Sequence, residues 1–388
     1  MIRLRNLVQF CFSPSDRAAT CDWLLSVEQM QRALDRERMR SDRGASGFSL
    51  LEFKYDTPCK TRELTELAKI LRQRIRATDD AGSLSPRRVG VVLPETSVAG
   101  AWTLAEDILH RLPEGSRKPT CEVYTYPEAD EPREGHIHQK TDHQTSGDKR
   151  RKSEIAGVPA TDVAVVKSVA VDDAVVLRTA RPMEPLFAKP LPAWKRAVDI
   201  LCAGTALIVF GPLMLVIAAL IKITSPGPAI FKQGRDTLGG RPFTIYKFRT
   251  MCVDAESQKA ALRKFSEQDG PAFKIARDPR ITRVGHFLRK TSLDELPQLF
   301  NVLLGDMSIV GPRPLPCDES RNCQGWQRRR LDVTPGLTCI WQVSGRSTVS
   351  FADWARMDIR YIKSRNLARD VKLIVQTVPA VLLHRGAC

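Results

Sequence analysis

Apolar positions in the first third of the chain alternate between helical and extended spacing. Over residues 23–40, Leu24, Val27, Met30 and Leu34 recur at helical intervals. Over residues 61–77, Leu64, Leu67, Ala68, Leu71 and Ile75 form a second helical stripe. Residues 100–112 read as a further helix. Short apolar runs at 48–53, 89–93 (closed by Pro94) and 121–126 have the length of strands. Strand, helix, strand, helix, strand predicts a small α/β layer over residues 18–126. Residues 127–160 carry few large apolar groups and read as a flexible linker, with His136, His138 and His143 solvated in it. The valine-rich stretch 163–178 predicts a strand or two.

The segment 200–221 has no charged residue in 22 positions, enough to cross a hydrocarbon core of about 30 Å as a helix. Gly211-Pro212 interrupts its middle, and an internal proline kinks a helix. Both flanks are basic: Arg178, Arg181, Lys189, Lys195 and Arg196 before it, Lys222, Lys232 and Arg235 after it. Cations favour the cytoplasmic side, so both ends belong on one face. The pattern predicts a re-entrant helix at about 197–222 that enters, bends at Pro212 and returns. Lys195, Arg196 and Lys222 are then expected on anionic headgroups, with Asp199 paired to one of them. Two later stretches, 351–361 (Phe351, Trp354, Ala355, Asp358 and Tyr361 at helical spacing) and 371–383, fit two settings equally. One is the membrane interface, with Trp354 and Tyr361 at headgroup depth; the other is the core.

At 388 residues the chain has room for two domains. Its net charge of +16 favours an anionic partner. The basic residues are dispersed, few aromatics accompany them, and no zinc-finger or RNA-recognition pattern occurs, so nucleic acid ranks below phosphorylated substrates and lipid headgroups. The ten cysteines are irregularly spaced without a C-x-x-C pair, which argues against a structural zinc site and for free thiols in a reducing compartment. The apolar patch at 7–12 is too short for a secretory signal, so the first domain is expected in the cytoplasm.

Asp294-Glu295 is the chemically richest pair. It follows Arg280, Arg283, Arg289 and Lys290 and precedes the rigid loop Gly311-Pro312-Arg313-Pro314. A paired acid among cations, close to a membrane segment, points to phosphate chemistry at a bilayer surface. Taken alone, the pair would read as a solvated helix start capped by Ser292. The prolines around Arg313 leave its guanidinium little entropy to lose, and a planar fork suits a phosphate or a uracil carbonyl. Arg289, and Lys247 with Arg249 on a strand-like run, are further candidate phosphate binders.

Several motifs occur in order: Lys195-Arg196-Ala197-Val198-Asp199, Tyr246-Lys247-Phe248-Arg249-Thr250-Met251, Asp278-Pro279-Arg280-Ile281-Thr282-Arg283, Leu293-Asp294-Glu295-Leu296-Pro297-Gln298-Leu299, Gly305-Asp306-Met307-Ser308-Ile309-Val310-Gly311-Pro312-Arg313-Pro314 and Trp341-Gln342-Val343-Ser344-Gly345-Arg346. On these, residues 195–388 resemble the bacterial sugar transferases, monotopic polyprenyl-phosphate phosphoglycosyl transferases. The resemblance implies a membrane-associated α/β core on the cytoplasmic face of the inner membrane. It implies that Asp294 is the nucleophile, that Glu295 is a metal-linked acid holding Mg2+, and that Arg313 contacts the nucleotide sugar. The implied substrates are a UDP-sugar and polyprenyl (undecaprenyl) phosphate, with UMP released as a surface or exopolysaccharide glycan is begun. Membrane lipids are the implied surroundings, nucleic acid is not a partner, and a homodimer is left open.

Phe48-Ser49-Leu50-Leu51 and the run from Arg88 to Thr96 make residues 20–126 resemble a degenerate GGDEF (diguanylate cyclase) domain. Ser85-Pro86-Arg87-Arg88-Val89 stands where the signature turn belongs. Lys54 replaces a metal-binding acid, although Asp56 remains, and a charged lysine does not ligate a divalent cation. The implied division is an accessory α/β domain at 1–126, a linker at 127–162, a connector at 163–194 and a transferase domain at 195–388. Two rivals, a tethered active cyclase and an inactive scaffold, are opposed by the missing cyclase residues and by the retention of Asp294, Glu295 and Arg313.

Overall fold

The computed structural model describes residues 23–44, 46–56, 61–127, 164–165, 179–275, 277–344 and 349–382. The chain divides into two compact units, Met1–Met183 and Glu184–Cys388. The linker expectation with its three histidines, the apolar patch at 7–12 and most of the valine-rich stretch lie outside the described residues.

In the first unit, α1 (Val27–Ser41) starts four residues later than its apolar period. Ser26 stops it: its hydroxyl accepts from the Gln29 N–H, and the Gln29 side chain accepts from the Ser26 N–H, a reciprocal cap that fixes the start. Then come β1 (Phe48–Lys54), α2 (Thr61–Arg74), β2 (Asp80–Ser85), β3 (Arg88–Pro94), α3 (Val98–Arg111), β4 (Thr120–Tyr126), β5 (Ala164–Val165) and β6 (Thr179–Pro182). The sheet order is β2-β3-β1-β4-β6-β5. Strand β1 is central and antiparallel to both β3 and β4. Leu51 and Phe53 share a core with Leu67 and Leu71 of α2 and Ala101 and Ile108 of α3. Strand β2 is absent from the sequence reading because Asp-Ala-Gly-Ser-Leu-Ser carries little apolar signal; pairing with β3 makes it a strand.

The second unit contains α4 (Glu184–Phe187), α5 (Ala193–Thr224), β7 (Ile230–Asp236), β8 (Pro242–Phe248), α6 (Lys259–Leu262), α7 (Arg283–Lys290), a 3-10 turn (Leu293–Glu295), α8 (Gln298–Leu304), β9 (Ser308–Val310), α9 (Cys317–Arg321), β10 (Gly336–Thr338), α10 (Ile340–Ser344), α11 (Phe351–Ser364) and α12 (Leu367–Leu382). Strands β7 and β8 form an antiparallel ribbon, and β9 pairs with β10 in parallel. Both units are mixed α/β, the expected fold class. The unit begins at Glu184 rather than at 195, because Glu184 pairs with Arg328 at 2.6 Å and the Lys189 N–H donates to the Asp332 carbonyl. Part of the expected connector therefore belongs to this core.

Among the described residues, α5 is the one helix long and apolar enough to cross a membrane, and only 17% of its apolar window is buried. Ala203 in its first half shares a cluster with Leu299 and Val302, while Ile217 and Ile221 in its second half share one with Phe248 and Leu288. Between them Ile208 is 81% exposed and Leu215 74%. Pro212 lies inside this exposed stretch.

Three expectations about the basic start of α5 are corrected. Lys195 is 2% exposed and pairs with Asp370 at 2.5 Å, so it does not reach headgroups. Arg196 donates to the Val302 and Leu303 carbonyls at 2.5 and 2.6 Å. It supplies partners and positive charge at the C-terminal end of α8, where carbonyls lack helical partners. Asp199 forms no ion pair among the described residues; its carboxylate accepts from the Ser308 hydroxyl and the Ile309 N–H, both at 2.9 Å, and so fixes β9 to α5. In each case a partner distant in sequence competes with the lipid surface. The same holds for Tyr361, which is 3% exposed and donates towards Val310 O and Asp370 Oδ1, a core setting and not headgroup depth.

Candidate active site

Thr282 caps α7 by accepting from the Gly285 N–H, and α7 ends at Lys290. A Cβ at Gly285 would collide with the Thr250 carbonyl, so only glycine lets α7 approach the end of β8 this closely. Ser292 then adopts a left-handed conformation (φ 57, ψ 15), unusual for a residue with a Cβ. It turns the chain into the 3-10 turn that carries Asp294 and Glu295. Ser292 is thus no N-cap, and no side-chain cap bond forms there. Asn301 of α8, fully buried, accepts from the Tyr246 N–H and donates to the Thr244 carbonyl. That amide clips the segment carrying the acids to β8, which carries Lys247.

The two adjacent acids have opposite surroundings. Both oxygens of Glu295 are engaged: Oε1 accepts from Lys247 Nζ at 2.9 Å and Arg313 Nη2 at 2.5 Å, and Oε2 from Arg313 Nη1 at 3.3 Å. The two-pronged contact is the geometry a guanidinium fork favours with a carboxylate. Burial opposes the charge of Glu295, but Arg313 and Lys247 outweigh it and hold its pKa well below the usual value. Asp294 is 8% exposed and has no hydrogen-bond partner among the described residues. Burial, then the charge of Glu295, pushes its pKa up to about 6 against the pull of Lys247, Arg289 and Arg313. Near neutral pH it is an ionised, unengaged carboxylate. Lys247 is lowered to about 8 by burial, which Glu295 resists. Burial also opposes the charge of Arg313, but Glu295 raises its pKa further.

The structure brings together Asp294, Glu295, Arg313, Lys247 and Arg289. Arg289 Nε donates to Thr250 Oγ1 at 2.9 Å, and its charge lies within reach of Asp294. Arg249 is used differently: it is 7% exposed and donates to Ser225 O and Oγ at 2.9 and 2.7 Å, fastening the end of α5 to the end of β8. It also lines the same cleft, and its Nη1 has no hydrogen-bond partner among the described residues.

That cleft, about 1380 Å3, contains all five of these residues and reaches Ala206 and Phe210 of α5. Sequence reasoning missed two supports. Arg280 grips Asp278 at 2.9 and 2.6 Å and the Ala255 carbonyl at 2.8 Å, bracing the wall before α7. The i, i+2 spacing of Asp278-Pro279-Arg280 carried that signal. Arg330 donates to the Arg313 carbonyl at 2.8 Å and to Asp358 at 2.7 Å. No local pattern announces that pair.

A magnesium ion on Glu295 would share its oxygens with Lys247 and Arg313, and among the described residues no three acidic, His or Cys side chains stand together. Magnesium is commonly held by one or two carboxylates completed by phosphate oxygens and water, and Asp294 and Glu295 are the side chains that would supply them here. The six described cysteines are free, Cys317 and Cys323 included.

A family model described as bacterial sugar transferase matches residues 191–384. The chain belongs to the bacterial sugar transferase family. The galactosyl transferase CpsE of Streptococcus agalactiae is 44% identical over 194 residues, covering 50% of this chain and 43% of that protein. The exopolysaccharide production protein ExoY of Rhizobium meliloti is 40% identical over 200 residues, covering 50% and 87%. The UDP-glucose:undecaprenyl-phosphate glucose-1-phosphate transferase of Caulobacter vibrioides is 41% identical over 224 residues, covering 54% and 78%. The chain thus spans less than half of the first of these and most of the other two. Among solved structures, a DGC protein from Thermotoga maritima is similar at 19% identity and a TM-score of 0.25, covering 27% of this chain and 83% of that one.

Proposed function

We propose that the protein transfers a sugar phosphate from a UDP-sugar to a polyprenyl phosphate at the membrane, the first step of a surface or exopolysaccharide glycan. An Asp294 oxygen attacks the sugar-bearing phosphorus, the bond from that phosphorus to the bridging oxygen breaks, and UMP leaves with that oxygen and its electron pair. The phosphosugar stays on Asp294 as an acyl phosphate. An oxygen of polyprenyl phosphate then attacks the same phosphorus, the bond from that phosphorus to the Asp294 oxygen breaks, and the carboxylate returns with the electron pair. Charge balances in both steps, and no proton need be supplied.

One observation carries this reading: a buried carboxylate without a hydrogen-bond partner among the described residues, Asp294, beside a carboxylate whose charge is fully engaged, Glu295. Adjacent acids driven apart in pKa have divided their tasks. Asp294 is free to act as nucleophile, while Glu295 holds Lys247 and Arg313 where diphosphate oxygens would lie, relieving the repulsion between two anions. The Caulobacter relative's name supports the substrate pair. Both halves of α5 adhere to their own unit around an exposed, proline-containing middle, which supports a re-entrant helix with both ends on the cytoplasmic face.

The test is direct. Purified protein incubated with UDP-sugars and no acceptor should yield UMP and a peptide around Asp294 heavier by one sugar phosphate. Asp294→Asn should yield neither and retain a wild-type melting curve. Undiminished UMP release from Asp294→Asn would remove the mechanism.

A further inference from the structure

The place of Arg235, shortly after the apolar segment, suggests a flanking cation, but the fold turns it into the cleft. Strand β7 pairs with β8 so that Phe231 lies opposite Lys247, Gln233 opposite Ile245 and Arg235 opposite Phe243. Alternate residues of a strand share a face, so Phe231, Gln233 and Arg235 form one row, and all three line the cleft with Lys247. The Arg235 guanidinium is held from two sides. Its Nε and Nη2 donate to Gln233 Oε1 at 3.3 and 3.0 Å, and its Nη1 donates to the Pro314 carbonyl at 2.5 Å. These bonds use three of its five N–H groups and leave one on each terminal nitrogen. Arg235 forms no ion pair among the described residues. Burial, then the charge of Arg313, lowers its pKa to about 10, so it stays charged at neutral pH.

We infer that Arg235 grips the nucleotide-side phosphate of the UDP-sugar and steadies UMP as it leaves. This rests on the proposed function and adds the leaving group's place to it. Attacking and leaving oxygens stand roughly in line across the phosphorus, so the leaving phosphate lies beyond the cations that surround the nucleophile. Asp294 is acted on by Glu295, Lys247, Arg289 and Arg313, and Arg235 by Arg313, Glu319, Glu295 and Asp318. Glu295 and Arg313 are common to both sets, so Arg235 stands one step past Arg313, where an in-line leaving group emerges. When the bond from phosphorus to the bridging oxygen breaks, the electron pair stays with UMP, whose phosphate gains a second negative charge. Glu295 already shares the charges of Lys247 and Arg313, whereas Arg235 has no carboxylate in contact among the described residues. Its attraction for the phosphate therefore grows as the reaction proceeds, which lowers the barrier and does more than tighten binding.

Binding of UMP and of uridine, and the two half-reactions taken separately, test this. In Arg235→Met, affinity for UMP should fall roughly ten- to hundredfold, the range of hydrogen bonds to a charged group. Affinity for uridine, which lacks the phosphate, should change less than twofold. The single-turnover rate of adduct formation at saturating UDP-sugar should fall by a factor similar to that for UMP. Discharge of preformed adduct, freed of UMP, to polyprenyl phosphate should stay within twofold of wild type, because the leaving phosphate has gone. Retained discharge and uridine binding also report that the variant is folded. Arg235→Lys keeps the charge without the fork; it should recover part of both losses, and it serves for the same comparisons if Arg235→Met does not fold. Unchanged affinity for UMP would overturn the assignment. So would an equal loss of UMP and uridine affinity, or an equal slowing of both half-reactions, the signs of a support for the Arg313 loop alone. Absence of any adduct in the wild-type protein would remove the proposed function, and the comparison of UMP with uridine would still decide whether Arg235 holds a nucleotide phosphate.

Discussion

Arg330 holds Arg313 in place from behind, and a double-variant cycle can separate that task from stability. Arg330 is 4% exposed and Asp358 1%, with Arg330 near the rings of Phe351 and Trp354, each 6.0 Å from its guanidinium carbon. Removing one partner of a buried pair leaves an uncompensated charge and costs about 3–5 kcal/mol. The lost hydrogen bond to the Arg313 carbonyl adds about 1 kcal/mol. Arg330→Met should therefore lose about 4–6 kcal/mol, a large share of the 5–15 kcal/mol typical of a fold. That corresponds to a fall in Tm of roughly 10–20 °C. Asp358, already raised to about 6 by burial against the pull of Arg330, would take up a proton and soften the loss at lower pH. Arg330→Met with Asp358→Leu removes both charges and should recover all but about 1–2 kcal/mol. It cannot restore the donor to the Arg313 carbonyl, so KM for the UDP-sugar should stay raised severalfold. Melting in detergent and initial rates measure the two effects separately. If the double variant regains the wild-type donor KM, Arg330 does not position Arg313. A melting temperature within a degree or two of wild type for Arg330→Met alone would refute the buried-charge argument.

Two further outcomes follow from the site and the membrane helix. The rate of UMP release should fall as pH drops through about 6, where Asp294 takes up a proton and ceases to be a nucleophile, and fall again as Lys247 loses its proton near about 8. Burial sets both limits; Lys247→Arg keeps its charge and should abolish the alkaline fall, whereas a profile flat across both limits would contradict the assignment. For the re-entrant reading, cysteines introduced at Trp194 and at Ser225, tested in a background with the native thiols replaced, should both react with an impermeant maleimide supplied from the cytoplasmic side. Labelling of Ser225→Cys from the opposite side alone would establish a spanning helix.

The departures from the sequence reading fall where a side-chain or strand partner, near or far in the chain, overrides the apolar pattern. Helix α1 began late because Ser26 and Gln29 form a cap that the apolar period does not show. Strand β2 has almost no apolar signal and exists through its pairing with β3. Lys195 and Arg196 look like headgroup contacts beside an apolar segment, yet Asp370 and the end of α8 take them. Trp354 and Tyr361 fit an interface or a core equally by spacing, and Tyr361 was settled by Asp370, a group on another helix. Arg249 sits one residue past a strand that faces the cleft, and the end of α5 claimed it.

Residue order alone determined the apolar segment with its central proline, the division into an α/β first part and a basic second part, and the neighbouring acids at 294 and 295 with Arg313 on a rigid loop. Those features are local: periodicity, backbone stiffness and adjacent charges are written in consecutive residues. Tertiary structure alone decided which acid is free. Glu295 is engaged because strand β8 and the loop after β9 converge on it, and Asp294 has no hydrogen-bond partner among the described residues because their side chains bond its neighbour instead. A carboxylate's charge state depends on what surrounds it in space, and residues 247 and 313 meet only in the folded chain.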